Sequence, residues 1–212
     1  MSDTTTRHTD FTRRFVSETQ NLLGRIDPAD IDAVVDELVA TKARGGRLFF
    51  CGSGGGAGHA SHATCDFRKL GGFEAYCVTD NVSELTARIN DDGWDDAYAA
   101  WLQASSVRAG DTLFVFSVGG GDEERRISVN LVNAMKLTAQ VGGSIVGIAG
   151  RDGGMLRRVA TASIVVPVGE ASNITAQAEG LQAVLWHLLV THPRVCASTP
   201  KWESVLQSPA PQ

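Results

Sequence analysis

The 212 residues hold 19 lysines and arginines against 24 acidic residues, a formal net charge of −5, and 43% of them are hydrophobic. This balance leaves no basic footprint for nucleic acid as a main partner, and it is ordinary for a globular fold with one sizeable core. No apolar run approaches the roughly 20 residues of a membrane helix, and the opening MSDTTTRHTD lacks the form of a secretory leader, so a cytoplasmic protein is expected.

In chain order, a polar N-terminal tail leads into a helix around Phe11–Leu23. Asp27-Pro28 is a cap followed by proline at the first helical position. Ile31, Val34, Val35, Leu38 and Val39 then recur at helical spacing up to Arg44, and Gly45-Gly46 stop the helix. Arg47–Cys51 is a short apolar run with the character of a buried strand. It breaks into Gly52-Ser53-Gly54-Gly55-Gly56-Ala57-Gly58, read as tight turns before a helix over His59–Leu70. Glu74–Thr79 is a second strand. Asp80–Leu102 is polar with helical pieces and holds an acidic loop, Asn90-Asp91-Asp92-Gly93.

Thr112–Ser117 is the third strand, breaking into Val118-Gly119-Gly120-Gly121, and Asp122–Gln140 is the helix that follows, with Asp122 at its N-cap. Ser144–Ala149 is the fourth strand, ending in Gly150-Arg151-Asp152-Gly153-Gly154, and Ser163–Val168 the fifth. Thr175–Val190 is a last helix before Pro193, and the tail SPAPQ is expected to be disordered. Strands alternating with helices imply an α/β fold, a parallel sheet covered on both faces. The loops that follow the strands then share the edge where ligands bind. The divisions are N-terminal helices 1–45, a main unit 46–195 and a tail 196–212. The four cysteines, Cys51, Cys65, Cys77 and Cys196, form no CxxC pair and read as buried free thiols.

A strand that breaks on glycines into a helix start presents free backbone N–H groups, a ready anion site. On the helix after it, His62 and Asp66 stand four residues apart on one face. An anion cradle beside a His/Asp pair exceeds what a scaffold needs, so this stretch is read as the active site. In the last helix, at about 100° per residue, Leu181, Val184, Leu185, Leu188 and Leu189 form a core stripe. Glu179, Ala183, Trp186, His187 and Val190 fall on the other side, a face expected to be buried by another subunit. Glu179 and His187 lie about 12 Å apart along the axis, so a substrate spans them or a neighbouring chain supplies one.

The two glycine loops, the Asn90-Asp91 loop, the Asp152-Gly153-Gly154 turn and the closing QAEGLQAVLWHLLVTHP resemble a sugar isomerase (SIS) domain, and within it the phosphoheptose isomerases. The resemblance covers nearly the whole chain. It implies a five-stranded, doubly wound, flavodoxin-like parallel sheet with two N-terminal helices, and a homotetramer with shared active sites. It further implies a Zn²⁺ held by His62, Asp66, Glu179 and His187, with Asp66 and His187 as the acid/base pair. The phosphorylated sugar would meet Ser53, Gly54, Gly55, Gly56, Asp91, Ser117, Gly119, Gly120 and Gly121. The implied reaction moves a carbonyl between C1 and C2 through an enediol, converting sedoheptulose 7-phosphate to a heptose phosphate. That chemistry needs a base, an acid and an oxyanion stabiliser.

The chain departs from the family at both loops. The family's Gly-Asn-Gly-Gly-Ser reads Gly52-Ser53-Gly54-Gly55-Gly56, and its serine-rich phosphate loop keeps only Ser117 before Asp122. The family's Gln reads Glu179, and its first carboxylate is the shorter Asp66. His59 is a spare ligand, and Ser53 and Thr79 are secondary contacts. Two alternatives stand beside this reading. Gly52-x-Gly54-x-x-Ala57 with Asp80 satisfies a dinucleotide fingerprint, but leaves the second glycine loop and closing helix without a role. A non-catalytic sugar-phosphate-binding or adaptor protein of the same fold suits the lost hydroxyls, whereas His62, Asp66 and His187 oppose it.

Overall fold

The computed structural model describes residues 2–198, with side chains from Asp10 onward. Its elements are α1 (Ser2–Gly24), α2 (Pro28–Ala43), β1 (Leu48–Gly52), α3 (Gly55–Lys69), β2 (Ala75–Cys77), α4 (Val82–Asp92), α5 (Ala97–Ala104), β3 (Thr112–Ser117), α6 (Val129–Gln140), β4 (Ser144–Ala149), α7 (Gly154–Val159), β5 (Ala162–Val165) and α8 (Ile174–Thr191). The five strands form one parallel sheet in the order β2-β1-β3-β4-β5. This is the doubly wound arrangement expected, with its switch point between β1 and β3.

The sheet is buried because its strands are apolar on both faces. Leu48 and Phe50 of β1 and Phe114 and Phe116 of β3 point to one core, shared with α1, α2, α3 and α8 through residues such as Leu22, Val34, Leu38, Phe67, Leu181 and Leu185. Phe49, Cys51, Leu113 and Val115 point to the other, against α5, α6 and α7 through Tyr98, Leu131, Met135 and Leu156. Phe50 stacks on Phe114 at 5.2 Å between centroids. Each such ring contributes about 1.5–3 kcal/mol by leaving water. The N-terminal helices belong to the first core rather than standing apart. Asp27 caps α2 as expected, accepting a hydrogen bond from Ala29 N.

Several expected boundaries shift. The polar stretch before Phe11 is helical, since α1 begins at Ser2. β2 is limited to Ala75–Cys77, and β5 to Ala162–Val165. Asn90, Asp91 and Asp92 are the last turn of α4 rather than a loop, ended by Gly93 at φ 80°. Gly55–Gly58 are helical: α3 starts directly after Gly54, whose φ of 59° and ψ of −124° suit a residue without Cβ. The helix expected over Asp122–Gln140 begins only at Val129. Before it, Asp122 and Ile127 pair as an isolated antiparallel bridge, and Asp122 accepts from Arg125 N within that excursion instead of capping a helix. The short α7 carried no signal beyond its glycines.

The last helix corrects an expectation about faces. Trp186 and Val190 are buried in the chain's own core, at 1% and 0% exposure, while Val184 and Leu188 are 46% and 38% exposed. The buried positions of α8 are Gln177, Ala178, Leu181, Gln182, Leu185, Trp186, Leu189 and Val190. Cys51 and Cys77 are buried and Cys196 partly so, but Cys65 is exposed; all four are free. The expectation for the SPAPQ tail lies outside the described residues.

Candidate active site

α3 and α8 pack side by side, and their facing turns assemble the site. His62 Nε2 lies 3.8 Å from Asp66 Oδ2, the i,i+4 proximity that one helix face dictates. His187 of α8 approaches the same carboxylate oxygen at 4.0 Å. The two imidazoles stand 5.5 Å apart and nearly perpendicular, at 86°. One ligand atom from each of His62, Asp66 and His187 lies within 4.8 Å of the others. Two nitrogens and one carboxylate at this spacing can hold a divalent ion such as zinc, with positions left open.

His187 is oriented from behind. Its Nδ1 donates to Ala183 O at 2.7 Å, which leaves Nε2 with the lone pair facing Asp66. Its ring also lies 3.5 Å from that of Trp186, in near-parallel stacking. Glu179, two turns earlier on α8, does not join the three. A Cβ placed on Gly55 would meet its carboxyl carbon at 2.5 Å, so Glu179 sits over the first turn of α3. His59 lies between these groups. Burial pushes its imidazole below the ordinary value, against the opposing pull of the Glu179 carboxylate.

A cavity of about 210 Å³ opens at the switch point, lined by Ser53, Ser117, Gly119, Ser128, Arg151 and Thr175 among others. Each wall is pinned by a buried group. Tyr98 OH donates to Gly52 O at 2.8 Å, and burial raises the phenol to about 12, so it remains a donor. Asn130, fully buried, donates to Ser53 Oγ at 3.0 Å. Ser117 Oγ accepts from Gly120 N at 2.9 Å. Gly120, at φ +75°, leaves no room for a side chain: a Cβ would lie 1.9 Å from Gly153 O. The loops after β3 and β4 are therefore interlocked. Gln182 ties α8 to both strand ends, donating to Ser117 O and Ile148 O at 3.0 and 3.1 Å. Ser128 and Arg151 hold left-handed φ values of 52° and 55°, conformations kept in place only by their surroundings.

Of the sequence candidates, Ser53, Ser117 and Gly119 line this cavity. Gly121 lines a second cavity, considered below. Gly54–Gly56 form the cap and first turn of α3. Asp91 lies exposed on the end of α4, bonded to Asn90, and lines neither cavity. Thr79 pairs with Cys77 Sγ at 3.2 Å. Sequence reasoning passed over Ser128, Asn130, Arg151, Thr175 and Gln182. Arg151 alone carried a visible signal, as the cation in the turn after β4.

No protein-family profile matches the chain. The lincomycin biosynthesis protein LmbN of Streptomyces lincolnensis is 31% identical over 187 residues, 84% of this chain; the match spans only about two thirds, 66%, of that protein. A phosphoheptose isomerase of Mycobacterium bovis is 33% identical over 147 residues, 67% of this chain and 71% of its own length. The solved phosphoheptose isomerase GmhA of Neisseria gonorrhoeae superposes with a TM-score of 0.73 at 23% identity, covering 88% of this chain and 96% of its own.

Proposed function

The chain belongs to the phosphoheptose isomerase family and is a sugar-phosphate isomerase, and from that premise we propose that it interconverts sedoheptulose 7-phosphate and a heptose 7-phosphate. The observation that carries the proposal is the convergence of His62, Asp66 and His187 within 4.8 Å, on the two helices whose N-terminal ends carry Ser53 and Thr175 to a hydroxyl- and arginine-lined cavity. The 1.5 Å rise per residue sets His62 about 10 Å along α3 from Gly55. That is the reach of an extended carbon chain with its carbonyl at the histidines and its phosphate against the loops.

The phosphate is seated by the hydroxyls of Ser53, Ser128 and Thr175, by the Arg151 guanidinium and by the amides of the glycine loops. At the other end, Asp66 and His187 exchange protons with C1 and C2. The proton alpha to the carbonyl is removed, an enediol forms, and a proton returns to the neighbouring carbon. His187 is suited to the base role because its Nδ1 proton is committed to Ala183 O. The donor set also fits zinc: His62 and one oxygen of Asp66 would hold it, leaving His187 Nε2 free as the base, whereas Glu179, the further ligand expected from the sequence, stands apart over the first turn of α3. Bound there, the ion supplies Lewis-acid polarisation of the substrate carbonyl. Asp66 keeps a second carboxylate oxygen for proton transfer.

The assembly is proposed to be a homotetramer with shared sites. Support comes from apolar side chains left in water, Val184 and Leu188 on α8 and Phe11 and Val16 on α1. A cytoplasmic setting accords with four free thiols. Among the described residues no helix is long and apolar enough to cross a membrane.

The test is isomerisation of sedoheptulose 7-phosphate in D₂O. Deuterium is expected at C2 of the aldose, or exchanged into C1 of the ketose. Transfer of hydrogen with no solvent label, together with full activity in both Asp66→Asn and His187→Asn, overturns the proton-shuttling pair.

A further inference from the structure

A second cavity, about 430 Å³, adjoins the first and shares Gly119, Ile127 and Arg151 with it. Arg125 and Arg158 complete a group of three guanidiniums around it. Two carboxylates are also present, and both are engaged. Asp122 accepts from Arg125 N at 3.0 Å and stands 3.7 Å from the Arg125 Nε. Asp152 accepts from Gly154 N at 3.1 Å. Arg158 further borders Glu123 and Glu124 on its outer side, but Glu123 is paired with Lys136.

The guanidiniums of Arg151 and Arg158 make no hydrogen bond or ion pair among the described residues. Each therefore offers a full planar fork of donors. Three guanidiniums against the carboxylates of Asp122 and Asp152 leave the lining with an excess of positive charge that favours an anion. Guanidiniums match phosphate oxygens two at a time. Resting on the reading that the first cavity seats the substrate phosphate, we propose that the second is a subsite for a further phosphoryl group. The site then takes one ligand carrying two linked phosphoryl groups, with Arg151 bridging them and Arg158 and Arg125 gripping the outer one.

Calorimetric titration with inorganic phosphate and with pyrophosphate, at matched ionic strength, tests this without relying on catalysis. Pyrophosphate is expected to bind about tenfold or more tightly than phosphate, the gain of an additional charge-assisted contact. Arg158→Gln is expected to erase that advantage while leaving phosphate affinity within about twofold; Arg151→Gln is expected to weaken both. Arg158 is exposed, so its replacement leaves the core intact, which a thermal melt checks. Equal affinities in the parent protein, or an advantage that survives Arg158→Gln, overturn the subsite. If phosphate affinity is instead indifferent to Ser128→Ala and Arg151→Gln while pyrophosphate still depends on Arg158, the substrate-phosphate seat fails and the second site stands.

Discussion

His187→Asn separates chemistry from folding because the histidine is held by few contacts. Its side chain is 48% exposed. Replacement forfeits one hydrogen bond to Ala183 O, worth about 0.5–1.5 kcal/mol net, and the stacking on Trp186, worth about as much. A loss of about 1–3 kcal/mol leaves a domain of ordinary stability folded. A positioned acid/base group contributes about 10²–10⁴-fold, which is about 2.7–5.5 kcal/mol of barrier at 1.36 kcal/mol per decade. Asparagine keeps polarity but moves no proton near neutral pH. Initial rates followed by NMR on sedoheptulose 7-phosphate should fall into that range, with a cooperative melt retained. A folded variant within about fivefold of the parent in kcat/KM lies well short of that range and refutes the assignment.

The metal proposal expects about one zinc per subunit after removal and re-addition, with His62→Ala and Asp66→Ala both lowering the count; unchanged zinc in both places the ion elsewhere. Light scattering should give four times the chain mass of 22.5 kDa, and glutamate at Val184 and Leu188 should release smaller species; a monomeric parent ends the shared-site proposal. Asp111→Asn should cost about 3 kcal/mol in denaturant melts, because the fully buried carboxylate accepts from Arg47 Nη2 at 2.7 Å and from Arg108 N at 3.0 Å. Burial alone would push the Asp111 carboxyl up, but the hydrogen bonds from Arg47 and Arg108 outweigh it and hold it below the ordinary value. That stability is therefore present above about pH 4 and lost as pH falls through the depressed value. The difference between Asp111→Asn and parent should shrink only in that acid window, and one that is flat throughout contradicts the linkage.

β1, β3 and β4 were legible because they are short, apolar and stopped by glycine, a pattern that tolerates little else. His62 and Asp66 were legible because i,i+4 spacing on one helix is a local property. His187 was found on a partly mistaken argument. Treating Trp186 as outward was reasonable by angle, but α8 is covered on a broad arc by α3 as well as by the sheet, so the indole lies against His62 at 4.8 Å. Periodicity gives the angle between residues, not the number of neighbours a helix has. Asp122 failed as a cap for a different reason: its backbone is committed to the bridge with Ile127, so the chain turns back before α6 begins. Ser128 was invisible because a left-handed serine arises from tertiary constraint and leaves no local pattern. Gln182 looked like one more polar residue on a helix until the sheet brought two strand-end carbonyls to it.

The excursion from Asp122 to Ile127 starts and ends at its own bridge, and the bridge also fixes where α6 begins. Its ends are thus held whatever lies between them, and doubling the enclosed length adds only about 0.6 kcal/mol of closure entropy. The acid and imidazole groups, by contrast, sit on α3 and α8, locked to the sheet through Gln182 and the aromatic core. Arg125, the member of the proposed outer subsite carried between the bridge residues, is therefore replaceable without touching α3 or α8. The segment between the bridge residues is a natural graft point: exchanging it for shorter, longer or differently charged sequences is expected to change the outer subsite while Ser53, Ser128, Arg151 and Thr175 stay in place.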